Sequence, residues 1–174
     1  MNYHLFQLIN DRAGRVDGLD DVMEFLADRL IYGVFAGFAA IVVWALLRRR
    51  LQQVAEVFAA LLLAFLGAQL LGHLSGQLRP FQTHHVHQLV AHDPGVSLPS
   101  DHATAAFAIA LAVAAFLHRG WGVVLLVAAA ALGLARIWVG VHYPGDILAA
   151  LVIAVAAVAV VAYAPLPTFV RKST

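Results

Sequence analysis

Three places in this chain combine residue types that could transfer a phosphoryl group. The first runs through His142, Tyr143, Pro144, Gly145 and Asp146. Pro144 suits the first turn of a helix, where its missing N–H costs nothing, so His142 is expected just before that helix and Asp146 one turn inside it. An Asp that accepts a hydrogen bond from one imidazole nitrogen fixes the tautomer and leaves the other nitrogen as a base or nucleophile. An interfacial His and an Asp that only suits the helix dipole would read the same way. The second place is Leu98, Pro99, Ser100, Asp101 and His102. Ser100 is a good N-cap and Asp101 is favourable in a first turn. The backbone N–H groups of such a helix start can hold a phosphate, and His102 could donate a proton to a leaving oxygen. The third is the pair Arg79 and Arg136, planar forks that match phosphate oxygens, although either Arg alone could be snorkelling at a span end. Together they form the inventory of a phosphoryl-transfer site.

The elements that must position these residues follow from composition. Of 174 residues, 62% are hydrophobic and 12% charged, against about 45–50% and about 25% in soluble domains. One core of this size cannot hide that much apolar surface. A soluble enzyme, a disordered tail and a nucleic-acid binder are excluded, and a single all-α integral-membrane domain is expected over 1–174. Spans are predicted at about 30–47, 54–71, 102–118, 121–139 and 144–164, each near the ~20 residues that cross a bilayer. Tyr3–Ile9 reads as an interfacial amphipathic helix, or as the relic of a sixth helix. The N-terminus does not read as a cleaved signal peptide. With no Cys, neither a disulfide nor a thiolate nucleophile can form.

Basic residues set the orientation. Arg48, Arg49 and Arg50 follow the first span, Arg119 separates the third and fourth, and Arg171 and Lys172 follow the fifth. Five spans put all of these on the cytoplasmic side. The acidic segment with Asp11, Asp17, Asp20, Asp21 and Glu24, and the long loop after Gly72, then lie outside. The same arrangement gathers Arg79, Ser100, His102, Arg136, His142 and Asp146 on the external face, where ionisable residues at membrane depth mark a functional site.

Arg79 with Pro80, then Pro99 to His102, then Arg136, His142 and Asp146, resemble in order and spacing the three-part signature of the type-2 phosphatidic acid phosphatase superfamily. Their wording is similar to that of bacterial bacitracin-resistance-type undecaprenyl-diphosphate phosphatases. The resemblance implies that His142 attacks phosphorus and forms a phosphohistidine. It further implies that Asp146 orients His142, and that His102 protonates the leaving group and then activates water. Arg79, Arg136 and the helix start at Ser100 and Asp101 would bind the phosphate, without a metal or other cofactor. The substrate would be a polyprenyl diphosphate in the bacterial plasma membrane, with phosphatidylglycerophosphate or phosphatidate as alternatives. The sequence departs from the pattern at Gly72, where the family has Lys, at Ala135, where it has Ser, and at Asp101, where Gly is commoner.

The loop residues His84, His85, His87 and His92 are read as headgroup or diphosphate contacts in preference to metal ligands. Gly33 and Gly37 form a small-xxx-small pair suited to a homodimer or to packing within the bundle. A non-enzymatic His-lined carrier would spread polar residues along the spans. Here they cluster at one face.

Overall fold

A computed structural model describes residues 2–164. Arg171 and Lys172, used above for orientation, lie outside the described residues. The elements are α1 (Asn2–Asn10), α2 (Asp17–Asp28), α3 (Leu30–Leu47), α4 (Leu51–Ser75), the short α5 (Pro80–Thr83), α6 (Asp101–Ala112), α7 (Arg119–Trp138) and α8 (Pro144–Tyr163). A π-helical turn, Val113–Leu117, continues α6. The fold is all-α, and four helices, α3, α4, α7 and α8, are long and apolar enough to cross a membrane.

The remaining expected span, α6 with its π turn, is shorter than the ~20 residues a lipid-facing span requires. Its position explains the difference. It packs against α3, α4, α7 and α8, and Ala103, Ala106, Phe107, Ile109, Ala110 and Ala112 are all buried in the main apolar cluster. A helix enclosed by others needs small side chains more than length. The π turn closes tightly on α7, because a Cβ on Gly122 would lie 2.4 Å from the Ala114 backbone. At this end Arg50 Nη1 donates to Leu117 O at 3.0 Å and its guanidinium lies 4.9 Å over Trp44. The α3–α4 turn and the α6–α7 turn are therefore at one end of the bundle, and the chemistry-bearing residues are at the other.

The N-terminal segment contains more structure than expected. α1 matches the anticipated short helix, with Phe6 and Asn10 buried. α2 is marked in the sequence only as an acidic segment. It forms because its buried side carries a satisfied polar residue: Asp20 accepts from Gly14 N at 2.9 Å and from Trp138 Nε1 at 2.8 Å. Asn10 Nδ2 donates to Trp138 O at 2.7 Å and to His87 O at 2.8 Å. These bonds tie both N-terminal helices and the long loop to the end of α7. The loop also lies against Gly140, at φ +83°, where a Cβ would meet His87 O at 2.6 Å. Only glycine suits both that backbone region and that approach.

Candidate active site

The α7–α8 connection delivers His142, and α8 delivers Asp146 from its first turn. Both are buried. Asp146 closes a capping box by accepting from Tyr143 N at 2.8 Å, which locks the carboxylate against the helix start. Three further donors converge on it: Ser97 Oγ at 2.5 Å, Gln77 Nε2 at 3.1 Å and His142 Nδ1 at 3.3 Å.

On the other side of the ring, Arg79 Nη1 lies 3.0 Å from His142 Nε2. A guanidinium can only donate. Nε2 is therefore the acceptor, and the proton sits on Nδ1, facing Asp146. This is the neutral tautomer whose Nε2 lone pair could attack an electrophile. Burial is the main force pushing the His142 pKa down, to about 4. The Asp146 hydrogen bond opposes it, and Arg136 and Arg79 reinforce it. Burial likewise lowers the Arg79 pKa, partly offset by Asp101 and Asp146.

Arg79 is held by the sequence around it. It is the N-cap of α5, with Pro80 in the first turn, and its N–H donates to Gln82 Oε1 at 3.2 Å. The same Gln82 oxygen accepts from Gly95 N at 3.0 Å. The Leu78–Val96 bridge and the bond from Ser97 N to Gln77 O, 2.7 Å, zip the two ends of the loop together. Arg136, on α7, is 1% exposed, and its Nη1 reaches Ala27 O at 3.4 Å and Asp28 Oδ1 at 3.6 Å. Arg136 Nε and Nη2 and Arg79 Nε are buried without a partner. Orphaned buried donors are costly in a native protein, and these three on two arginines are donors that an anion would satisfy.

Ser100 caps α6, accepting from Ala103 N at 3.5 Å, and its own N–H donates to Asp146 O at 3.4 Å. That bond ties the start of α6 to the start of α8. His102 is half-buried, and its field is set by Arg136, His92 and Asp101. With exposed Asp101 it stands at one end of an apolar groove of about 570 Å³, lined by Tyr32, Phe35, Phe38 and Phe65. The structure thus brings His142, Asp146 and Arg79 into direct contact and joins Ser100 to them through the backbone. Arg136 acts electrostatically on both His142 and His102.

Sequence reasoning missed Ser97 and Gln77, which complete the shell of Asp146. It gave no individual role to His92, whose ring lies 6.4 Å from that of His142 in an edge-on arrangement. Burial lowers the His92 pKa, as do Arg79 and Arg136, against a bond to Asp93 O. The other loop histidines are dispersed. His84 stacks on Tyr3 at 3.8 Å, and the His87 backbone is bound by Asn10. Among the described residues no group of three His, Asp or Glu is placed to hold a metal ion. Gly72 and His73 line a separate cavity of about 400 Å³ with Leu98, Pro99 and Asp101. His92 is therefore the additional imidazole closest to the nucleophile candidate, while His73 bonds Gln69 O of its own helix.

Comparison with known proteins identifies the family. Residues 53–168 match the model of the PAP2 superfamily. The chain is 36% identical over 154 residues to the bacitracin transport permease protein BcrC of Bacillus licheniformis, covering 86% of this chain and 73% of that protein. It is 35% identical over 158 residues to the undecaprenyl-diphosphatase BcrC of Bacillus subtilis, covering 89% and 79%. The fold is similar to that in the crystal structure of Aquifex aeolicus LpxE, with a TM-score of 0.74 at 23% identity over 93% of this chain and 94% of that one. The chain belongs to the PAP2 superfamily and is a membrane phosphatase, a hydrolase.

Proposed function

We propose that this protein hydrolyses undecaprenyl diphosphate to undecaprenyl phosphate and inorganic phosphate through a phosphohistidine on His142. The observation that carries the reading is the buried His142, with Nδ1 on Asp146 and Nε2 on Arg79. The undecaprenyl-diphosphatase of Bacillus subtilis named above supplies the lipid class. Nε2 attacks the terminal phosphorus, an N–P bond forms, and the bridging P–O bond breaks to release undecaprenyl phosphate. Arg79, Arg136 and the N–H groups of the α6 start take up the charge that develops on the phosphoryl oxygens. His102 gives its proton to the leaving oxygen and then takes one from water, which cleaves the N–P bond and frees inorganic phosphate and His142.

The site faces the exterior of a bacterial plasma membrane, with α6 as a fifth, internal crossing. Phosphate release there returns the carrier lipid to cell-wall synthesis and lowers sensitivity to bacitracin, which sequesters the diphosphate. A direct test compares phosphate release from undecaprenyl diphosphate, phosphatidylglycerophosphate and phosphatidate in detergent with a chelator present. The diphosphate is expected to be hydrolysed fastest, with no loss to the chelator. Preference for a glycerolipid would move the substrate assignment, and inactivation by chelator would overturn the mechanism.

The protonation state of His142 sets a second expectation. Its pKa in the free protein is about 4, below the ordinary 6.5. Nε2 is therefore free of a proton throughout the neutral range and is lost as a nucleophile only as pH falls through about 4. The acid limb of kcat/KM, which reports the free enzyme, should lie there. A limb centred at the ordinary histidine value would count against a buried nucleophile.

A further inference from the structure

Arg136 is turned toward α2. Its Nη1 lies 3.4 Å from Ala27 O and 3.6 Å from Asp28 Oδ1. Ala27 O is one of the last carbonyls of α2, which have no partner within the helix, and this end also carries the negative pole of the helix dipole. The position of that end is itself fixed. Two residues further along α7, Trp138 Nε1 is bound by Asp20 of α2 at 2.8 Å, and its carbonyl by Asn10 at 2.7 Å. The N-terminal helices therefore hold the end of α7 at Arg136 and at Trp138. Once Nη1 is engaged, Nε and Nη2 are the buried, unpartnered donors.

We infer that Asp28 is a positioning residue for the reaction, holding one end of the Arg136 guanidinium so that its remaining donors meet the phosphate. The Asp28 side chain is 48% exposed and that of Arg136 2% exposed, so Asp28 also offsets the charge of a buried guanidinium. Orientation is the further effect, and it acts in the transition state and so on kcat. The inference rests on the reading of Arg136 as a phosphate ligand.

The test uses Asp28→Ala, Asp28→Glu and Arg136→Gln in the full chain, purified in detergent. Rates are measured on undecaprenyl diphosphate, inhibition with orthovanadate, and folding by thermal unfolding. Asp28→Ala is expected to lower kcat and weaken vanadate inhibition about tenfold, with KM changed less than about threefold. Its melting temperature should stay well above the assay temperature, and Asp28→Glu should restore most of the rate. Unchanged kcat and vanadate inhibition in Asp28→Ala, while Arg136→Gln loses both, would overturn the role of Asp28 alone. So would a rate loss that follows a fall in melting temperature and is not rescued by Glu. Unchanged vanadate inhibition in a folded Arg136→Gln would instead remove the phosphate role of Arg136 and the inference with it.

Discussion

Replacing His142 with Ala is expected to lower phosphate release by about four orders of magnitude or more, as losses of members of a catalytic unit do. The argument rests on what remains behind. Asp146 keeps Ser97, Gln77 and Tyr143 N as donors, so the variant should fold, and thermal unfolding in detergent checks that it does. Arg79 and Arg136 also remain, so substrate should still bind. What disappears is the atom that forms the N–P bond. Acid-stable but base-labile phosphoenzyme would point to a carboxylate; the opposite lability is expected here, and it should vanish in His142→Ala. A variant that keeps about a tenth of the wild-type rate would be incompatible with covalent catalysis by this residue.

The His102→Ala variant should respond to the chemistry of the leaving group. General acid catalysis is worth about 10²–10⁴-fold, and most where the departing oxygen is strongly basic. A glycerolipid monoester departs as an alkoxide and needs that proton. A diphosphate departs as a phosphate monoester, which leaves without one far more readily. With phosphatidate the variant should be slow from the first step, with no burst. With undecaprenyl diphosphate the first step should survive and water attack should become limiting. Rapid-quench experiments should then show a burst of undecaprenyl phosphate and accumulation of phosphohistidine. Equal losses on both substrates with no burst would take the acid role away from His102.

Much of the site was legible because its key spacings are local. His142 and Asp146 are separated by one helical turn, and Pro144 between them announces the helix start. Ser100 is recognisable as a cap from type and position alone. The five-segment reading also placed these points at one end of the bundle, and the Arg50–Leu117 bond fixes the opposite end. Ser97, Gln77 and His92 were not legible because they lie in a loop without periodicity. Their positions depend on the Leu78–Val96 bridge and the approach of the loop to Gly140. α2 was hidden for another reason. Leu19, Val22 and Phe25 lie on its exposed side, while the buried side carries Asp20. Ala27 is also buried, with Met23 and Leu26 packed against the core, so apolar residues lie on both sides of the helix and the tertiary bonds of Asp20 to Gly14 and Trp138 show which face is inside.

Under the proposed mechanism, the contact between Arg79 and His142 would act as a latch. A lone pair engaged by a guanidinium is a weak nucleophile. The Arg79 that holds Nε2 is also the group an incoming phosphate would recruit, so a ligand with enough negative charge would draw the guanidinium away and expose Nε2 in the same movement. A phosphodiester, with one charge over two non-bridging oxygens, would have less to offer in that exchange than a terminal phosphate. Charge on the substrate, and not only its shape, would then act as the key.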